Sequence, residues 1–320
     1  MQARSSFNDI NQNQIFNSAL KTLKKCDQSE IEIIKEAKLL LFKSANEIIK
    51  TDSGQKYFEV YHQHLQERSK KEIKVIVDEK IDAAARFEFA ENHDRSFHLI
   101  KYNPKFPVAC PLMMHELVHL EFVLEAREKS CNKLFIGSEA NRKLFIDSFR
   151  NHSQILQKQG YPKDSIDEFY ISLFSKISSL AYNTPIDLFI EDKLFNEYPD
   201  LRPLQLVSLF AIISGGIKES TEKTLFIQTP QLFSHSFRIL NIVLALQFRD
   251  LYGVNLISEF RPSYLENSIA YKFYEEFQEY RNDREPGEEY ELVENWANDL
   301  KLNKYFRFFD EIEYRKRFML

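Results

Sequence analysis

Apolar residues recur every three or four positions along the first part of the chain, at Ile31, Ile34, Ala37, Leu40, Leu41 and Ala45. That spacing gathers them on one side of a helix. Asp52-Ser53-Gly54 interrupts the pattern, and Tyr57 to Leu65 resumes it. The period then falls to two. Glu72-Ile73-Lys74-Val75-Ile76-Val77-Asp78 is rich in β-branched residues, Arg86-Phe87-Glu88-Phe89 alternates, and Ser96 to Tyr102 is a third extended run closed by Asn103-Pro104. These runs predict three strands, the last two joined across Glu91-Asn92-His93-Asp94, and no other stretch predicts a strand as strongly. Pro111 suits a first helical position, where its missing N–H is no loss. From there nothing breaks a helix through Ala126, and the pattern stays helical almost to the end. Gly160-Tyr161-Pro162, Tyr198-Pro199-Asp200, Gly215-Gly216, Thr229-Pro230, Arg261-Pro262 and Glu285-Pro286-Gly287 punctuate it. The expected fold is α+β and mainly helical: a small twisted sheet packed on the helix that begins near Pro111, with a large helical remainder. Residues 1–70, 71–200 and 201–320 are the expected regions, and a single continuous domain is compatible with the same pattern.

Composition sharpens this picture. Only 7 of the 320 residues are glycine, which leaves few tight turns and favours helix. The 28 phenylalanines and 15 tyrosines read as core packing. With 43 basic and 48 acidic residues the net charge is −5, so no positive field draws a phosphate backbone and no nucleic-acid partner is expected. Arg315-Lys316-Arg317 is a short solvated run. Cys26, Cys110 and Cys131 form neither a disulfide framework nor a CxxC metal site. Met1 to Phe16 lacks the apolar run of a signal peptide. No stretch reaches the ~18 uninterrupted apolar residues of a membrane span. A cytoplasmic protein without a membrane partner is expected. The absence of a glycine-rich phosphate loop disfavours a nucleotide-binding enzyme.

The chemistry concentrates in Met114-His115-Glu116-Leu117-Val118-His119-Leu120. On a helix, residues four apart stack on one face, so His115 and His119 can aim imidazole nitrogens at a single ion. Neutral imidazole suits Zn²⁺. Glu116 stands one position further round, where its carboxylate can take a proton from a water without displacing either histidine. The neighbours Met113, Met114, Leu117, Val118 and Leu120 are uncharged, as a helix at the floor of a dry site requires.

This segment and the strands before it resemble the zincin metallopeptidases over about residues 70–200. The resemblance implies a zinc cofactor, Glu116 as the catalytic base and a peptide or protein substrate. It also makes Ser96 to Tyr102 a candidate edge strand for extended substrate. Catalytic zinc takes three protein ligands and keeps one position open. The metzincin extension is absent, since Phe122 stands where its glycine belongs and Glu125 where its histidine belongs. A later acid is therefore expected, as in gluzincins. Glu139 lies twenty residues after His119, a spacing familiar from thermolysin-like enzymes. In Thr184-Pro185-Ile186-Asp187-Leu188-Phe189-Ile190-Glu191, Thr184 can cap a helix with Pro185 at its first position. Asp187 and Glu191 then share one face amid apolar residues, and two such acids need a partner or a cation. Glu191 is the favoured third ligand, with Asp187 accepting from a histidine N–H, or ligating in its place. Tyr182, His235, Tyr264 and Tyr271 are candidates for stabilising an oxyanion.

Two other readings compete. Glu116-x-x-His119 and Glu59-x-x-His62 are both ExxH pairs, as in ferritin-like di-iron proteins. That reading leaves His115 without a role. A non-catalytic helical interaction or regulatory protein is the second, with Leu204 to Ile213 and Ile239 to Phe248 as plain core helices.

Overall fold

The computed structural model describes residues 2–26, 29–81, 83–222 and 229–318. They form a mainly helical chain with two small sheets, one of them packed against the helix that carries His115 and His119. The chain divides into two compact units. One comprises residues 1–124, 190–215 and 247–256, the other residues 125–189, 216–246 and 257–320.

In the first unit, α1 (Gln2–Lys25) pairs with α2 (Ile31–Ile48). The ridge that α2 buries includes Ala37, Leu41, Ala45 and Ile48, three or four residues apart; Ile31 and Leu40 of the same apolar run stay exposed. Gly54 enters α3 (Gln55–Ser69) in the left-handed region. The three expected strands follow as β1 (Glu72–Val77), β2 (Ala85–Glu88) and β3 (Phe97–Tyr102). Their order is β1-β3-β2: β3 runs parallel to β1, with Glu72 opposite Phe97, and antiparallel to β2, with Ala85 opposite Tyr102. This corrects the expectation of a substrate-binding edge at Ser96 to Tyr102. That segment is the central strand, its backbone is paired on both sides, and His98, Leu99 and Ile100 are buried. The sheet's edges are β1 and β2.

Helix α4 (Ala109–Glu128) begins two residues before Pro111. The proline still falls in the first turn, where backbone N–H groups have no partner within the helix. Helix α8 (Arg202–Thr221) lies in Pro199–Thr221, a stretch long and apolar enough to cross a membrane by length and composition alone; 44% of its most apolar window is buried inside the protein.

The second unit holds a sheet that hydrophobic patterning missed. β4 (Lys133–Ile136) pairs antiparallel with β5 (Arg307–Asp310), Leu134 opposite Phe309. Segments of four residues carry too little periodicity to separate strand from helix. Helices α5 (Glu139–Ser148) and α6 (Arg150–Lys158) lead into α7 (Lys163–Glu197), which is 35 residues long. Pro185 lies inside α7, which corrects the helix start expected at Thr184. The proline withholds the N–H that would bond the Ala181 carbonyl, yet the helix continues through this buried stretch. The Thr184 hydroxyl caps nothing and is buried without a hydrogen-bond partner. Helices α9 (Gln231–Tyr252), α10 (Tyr264–Tyr280) and α11 (Glu289–Asp299) and the short α12 (Glu311–Phe318) complete the described chain.

Candidate metal centre

Helix α4 is buried along most of its circumference. Met114, Leu117, Val118 and Leu120 are fully buried, whereas His115, Glu116 and His119 keep partial exposure. Between Cys110 and Phe122 the polar side chains of HExxH are thus the positions that keep partial exposure. The two imidazole rings lie with centroids 4.9 Å apart at 66° to one another. Helix α7 repeats the pattern. Across residues 184–192 every residue is buried except Asp187.

One nitrogen from each of His115 and His119 and one carboxylate oxygen of Asp187 all lie within 4.8 Å of one another. Around a tetrahedral zinc with bonds of ~2.0–2.2 Å such donors stand ~3.4 Å apart, so modest side-chain rotation closes the set. Two neutral imidazoles and one carboxylate suit a divalent ion of this kind. The arrangement His115-Glu116-x-x-His119 with Asp187 matches the HExxH pattern of the zincins. It is consistent with a zincin active site. No family model, curated protein or solved structure matches the chain.

Glu191, favoured by the sequence as third ligand, is outside this cluster of donors and contacts His115 instead. Its Oε1 lies 2.7 Å from Nδ1 of His115. A carboxylate only accepts, so Nδ1 is the donor, and in the neutral ring Nε2 then keeps the lone pair that a metal needs. The second oxygen, Oε2, accepts from Gln205 Nε2 at 2.6 Å. The same amide nitrogen reaches the backbone carbonyl of Glu191 at 2.9 Å. Tyr252 donates its hydroxyl to Gln205 Oε1 at 2.8 Å, with the Arg202 carbonyl 3.2 Å away. Burial, and then the charge of Glu191, pushes the Tyr252 phenol well above its ordinary pKa, so it stays a donor. Neither Gln205 nor Tyr252 was singled out by sequence. Gln205 did leave a signal, a lone amide in the apolar run Pro203-Leu204-Gln205-Leu206-Val207, because a buried amide demands partners.

The remaining candidates lie in other settings. Glu139 is exposed at the start of α5 and pairs with Arg142. His62 gives Nε2 to the Ile73 carbonyl at 2.7 Å, and Glu59 is exposed and accepts from Gln55. The second ExxH pair therefore does not assemble a metal cluster among the described residues. His235 holds Glu266 at 2.6 Å, and Tyr264 is 91% exposed. Tyr182 lies on α7 five residues before Asp187, packed on Phe135 with ring centroids 4.8 Å apart. Its pKa is raised by burial first, then by Glu289, with a further contribution from Asp187. A groove of about 500 Å³ runs along α7 through Ile171, Phe174, Ser178 and Tyr182 and ends at Asn183, one turn before Asp187.

Proposed function

We propose that the protein is a zinc-dependent metallopeptidase, with His115, His119 and Asp187 as the metal ligands and Glu116 as the general base. The observation that carries this reading is the convergence of two imidazoles from one helix and a carboxylate from another, with Glu116 beside the first imidazole. Asp187 takes the ligand role and Glu191 the orienting one, because Glu191 is committed to His115 and Gln205 through both of its oxygens. A zinc ion held by His115, His119 and Asp187 would supply Lewis acidity for the scissile carbonyl and for a water. Glu116 takes the proton from that water and passes it to the departing amine, so one carboxylate serves as base and then as acid. Nδ1 of His115 donates to Glu191, which leaves its Nε2 to face the metal. The substrate class is a peptide or protein amide.

Glu116→Gln tests the assignment. The amide keeps the shape but cannot take a proton, so hydrolysis of a peptide pool is expected to fall at least ~100-fold while zinc binding is retained. Hydrolysis at the wild-type rate in Glu116→Gln would sink the proposal.

A further inference from the structure

We propose that Gln205 and Tyr252 are positioning residues for the metal centre, acting through Glu191 to fix the tautomer and direction of His115. The proposal rests on the zinc reading for its effect on metal binding, but the tautomer itself exists without metal.

The argument begins with the freedom of a glutamate. Three rotatable bonds separate Glu191 from the backbone, and an unrestrained carboxylate has no reason to keep one oxygen on His115 Nδ1. Gln205 removes that freedom. Its amide nitrogen has two protons, and its two acceptors are both on Glu191: Oε2 at 2.6 Å and the backbone carbonyl at 2.9 Å. Side chain and main chain of Glu191 are thus gripped by one group, and Oε1 is left pointing at Nδ1 of His115 at 2.7 Å.

The grip works in only one orientation of the amide. Flipping Gln205 would set its oxygen against an ionised carboxylate that can only accept. Tyr252 supports this orientation: of its two acceptors, Gln205 Oε1 at 2.8 Å is nearer than the Arg202 carbonyl at 3.2 Å. Tyr252 is fully buried and packs edge-on against Phe195, with ring centroids 5.4 Å apart. Gln205 is 2% exposed, so water does not compete for these bonds. The order of control therefore runs from Tyr252 to Gln205, to Glu191, to His115. All four groups lie in the first compact unit, on α9, α8, α7 and α4.

Orienting partners of this kind change metal affinity by about 10–100-fold. One step further out, a loss of about tenfold is expected. The test uses the full-length chain with ¹⁵N-labelled histidine, metal-free and above neutral pH, in wild type, Tyr252→Phe, Gln205→Met and the double variant. Imidazole ¹⁵N shifts read the tautomer of His115, assigned by its loss in His115→Gln. Zinc affinity is read by competition with a chromophoric chelator. Wild type should show Nδ1–H at His115. Gln205→Met should drift towards the Nε2–H form and bind zinc about tenfold more weakly. Tyr252→Phe keeps the buried ring and should shift both readouts the same way by less, and the double variant should be no worse than Gln205→Met. Variants that melt earlier but keep the Nδ1–H tautomer and wild-type zinc affinity would overturn the proposal, since the two residues would then be structural only. A tautomer that shifts in both variants while the wild type binds no zinc would uphold the positioning chain and remove the zinc reading instead.

Discussion

At the scale of single residues, the account turns on two acids one helical turn apart. The sequence placed Asp187 and Glu191 on one face of a helix and marked both as needing partners. It favoured Glu191 as the ligand and Asp187 as the acceptor from a histidine, the reverse of the division proposed here, because i and i+4 positions differ by only a few tens of degrees around the axis. The partner that distinguishes them, Gln205, is fourteen residues beyond Glu191 on another helix. HExxH was legible because its spacing is local, whereas the division of labour depends on tertiary contacts. A different residue shows charge acting on stability. Glu311 is buried, and burial would raise its pKa, but hydrogen bonds from Arg127 and Arg315 outweigh this and hold it at about 2. Arg127 binds it through two nitrogens, at 2.9 and 2.8 Å, and Asn132 adds a third donor at 2.8 Å. The folded pKa lies below the ordinary glutamate value of ~4.3, so the stabilisation is fully present above that pH and is lost as pH falls towards 2. Thermal unfolding should therefore show Glu311→Gln melting well below wild type at pH 7, with the gap closing between pH ~4.3 and ~2. A gap that does not change with pH would contradict the ionic origin of this contribution.

At the scale of elements, strands with alternating patterns were legible and those without were not. β1, β2 and β3 were recognisable in number and place, but patterning along one strand says nothing of its neighbours. β3 consequently turned out central rather than at an edge. β4 and β5 escaped because each is four residues long and they pair across more than half the chain. Helix α7 read as two pieces because Pro185 in sequence looks like a start. Helix ends also set the site. α9 ends at Tyr252, and Gly253 follows with φ of +71°, where its missing side chain lets the backbone come close to Leu23. A Cβ there would lie 2.7 Å from the Leu23 Cβ and 3.0 Å from its carbonyl carbon. Gly253→Ala is accordingly expected to destabilise the chain by more than ~1 kcal/mol, measured by denaturant unfolding. An unchanged midpoint would show that the turn after Tyr252 tolerates a side chain and is not what anchors that end of the helix.

At the scale of the whole molecule, composition foretold the class of fold. Seven glycines among 320 residues left little room for a turn-rich protein, and the chain is mainly helical. Its two compact units are interleaved along the sequence, and α4, α7, α8 and α9 each contribute residues to both. The residues proposed to make the metal centre lie on two of these helices, so the chemistry is built on long rigid elements rather than on loops, which suits precise ligand placement. The decisive measurement is zinc stoichiometry of the purified full-length protein by mass spectrometry, with wild type beside His115→Ala, Asp187→Ala and Glu116→Gln. One zinc per chain in wild type and Glu116→Gln, lost in His115→Ala and Asp187→Ala, is the predicted result. Zinc retained in Asp187→Ala, or no zinc in the wild type after incubation with the metal, would contradict the account.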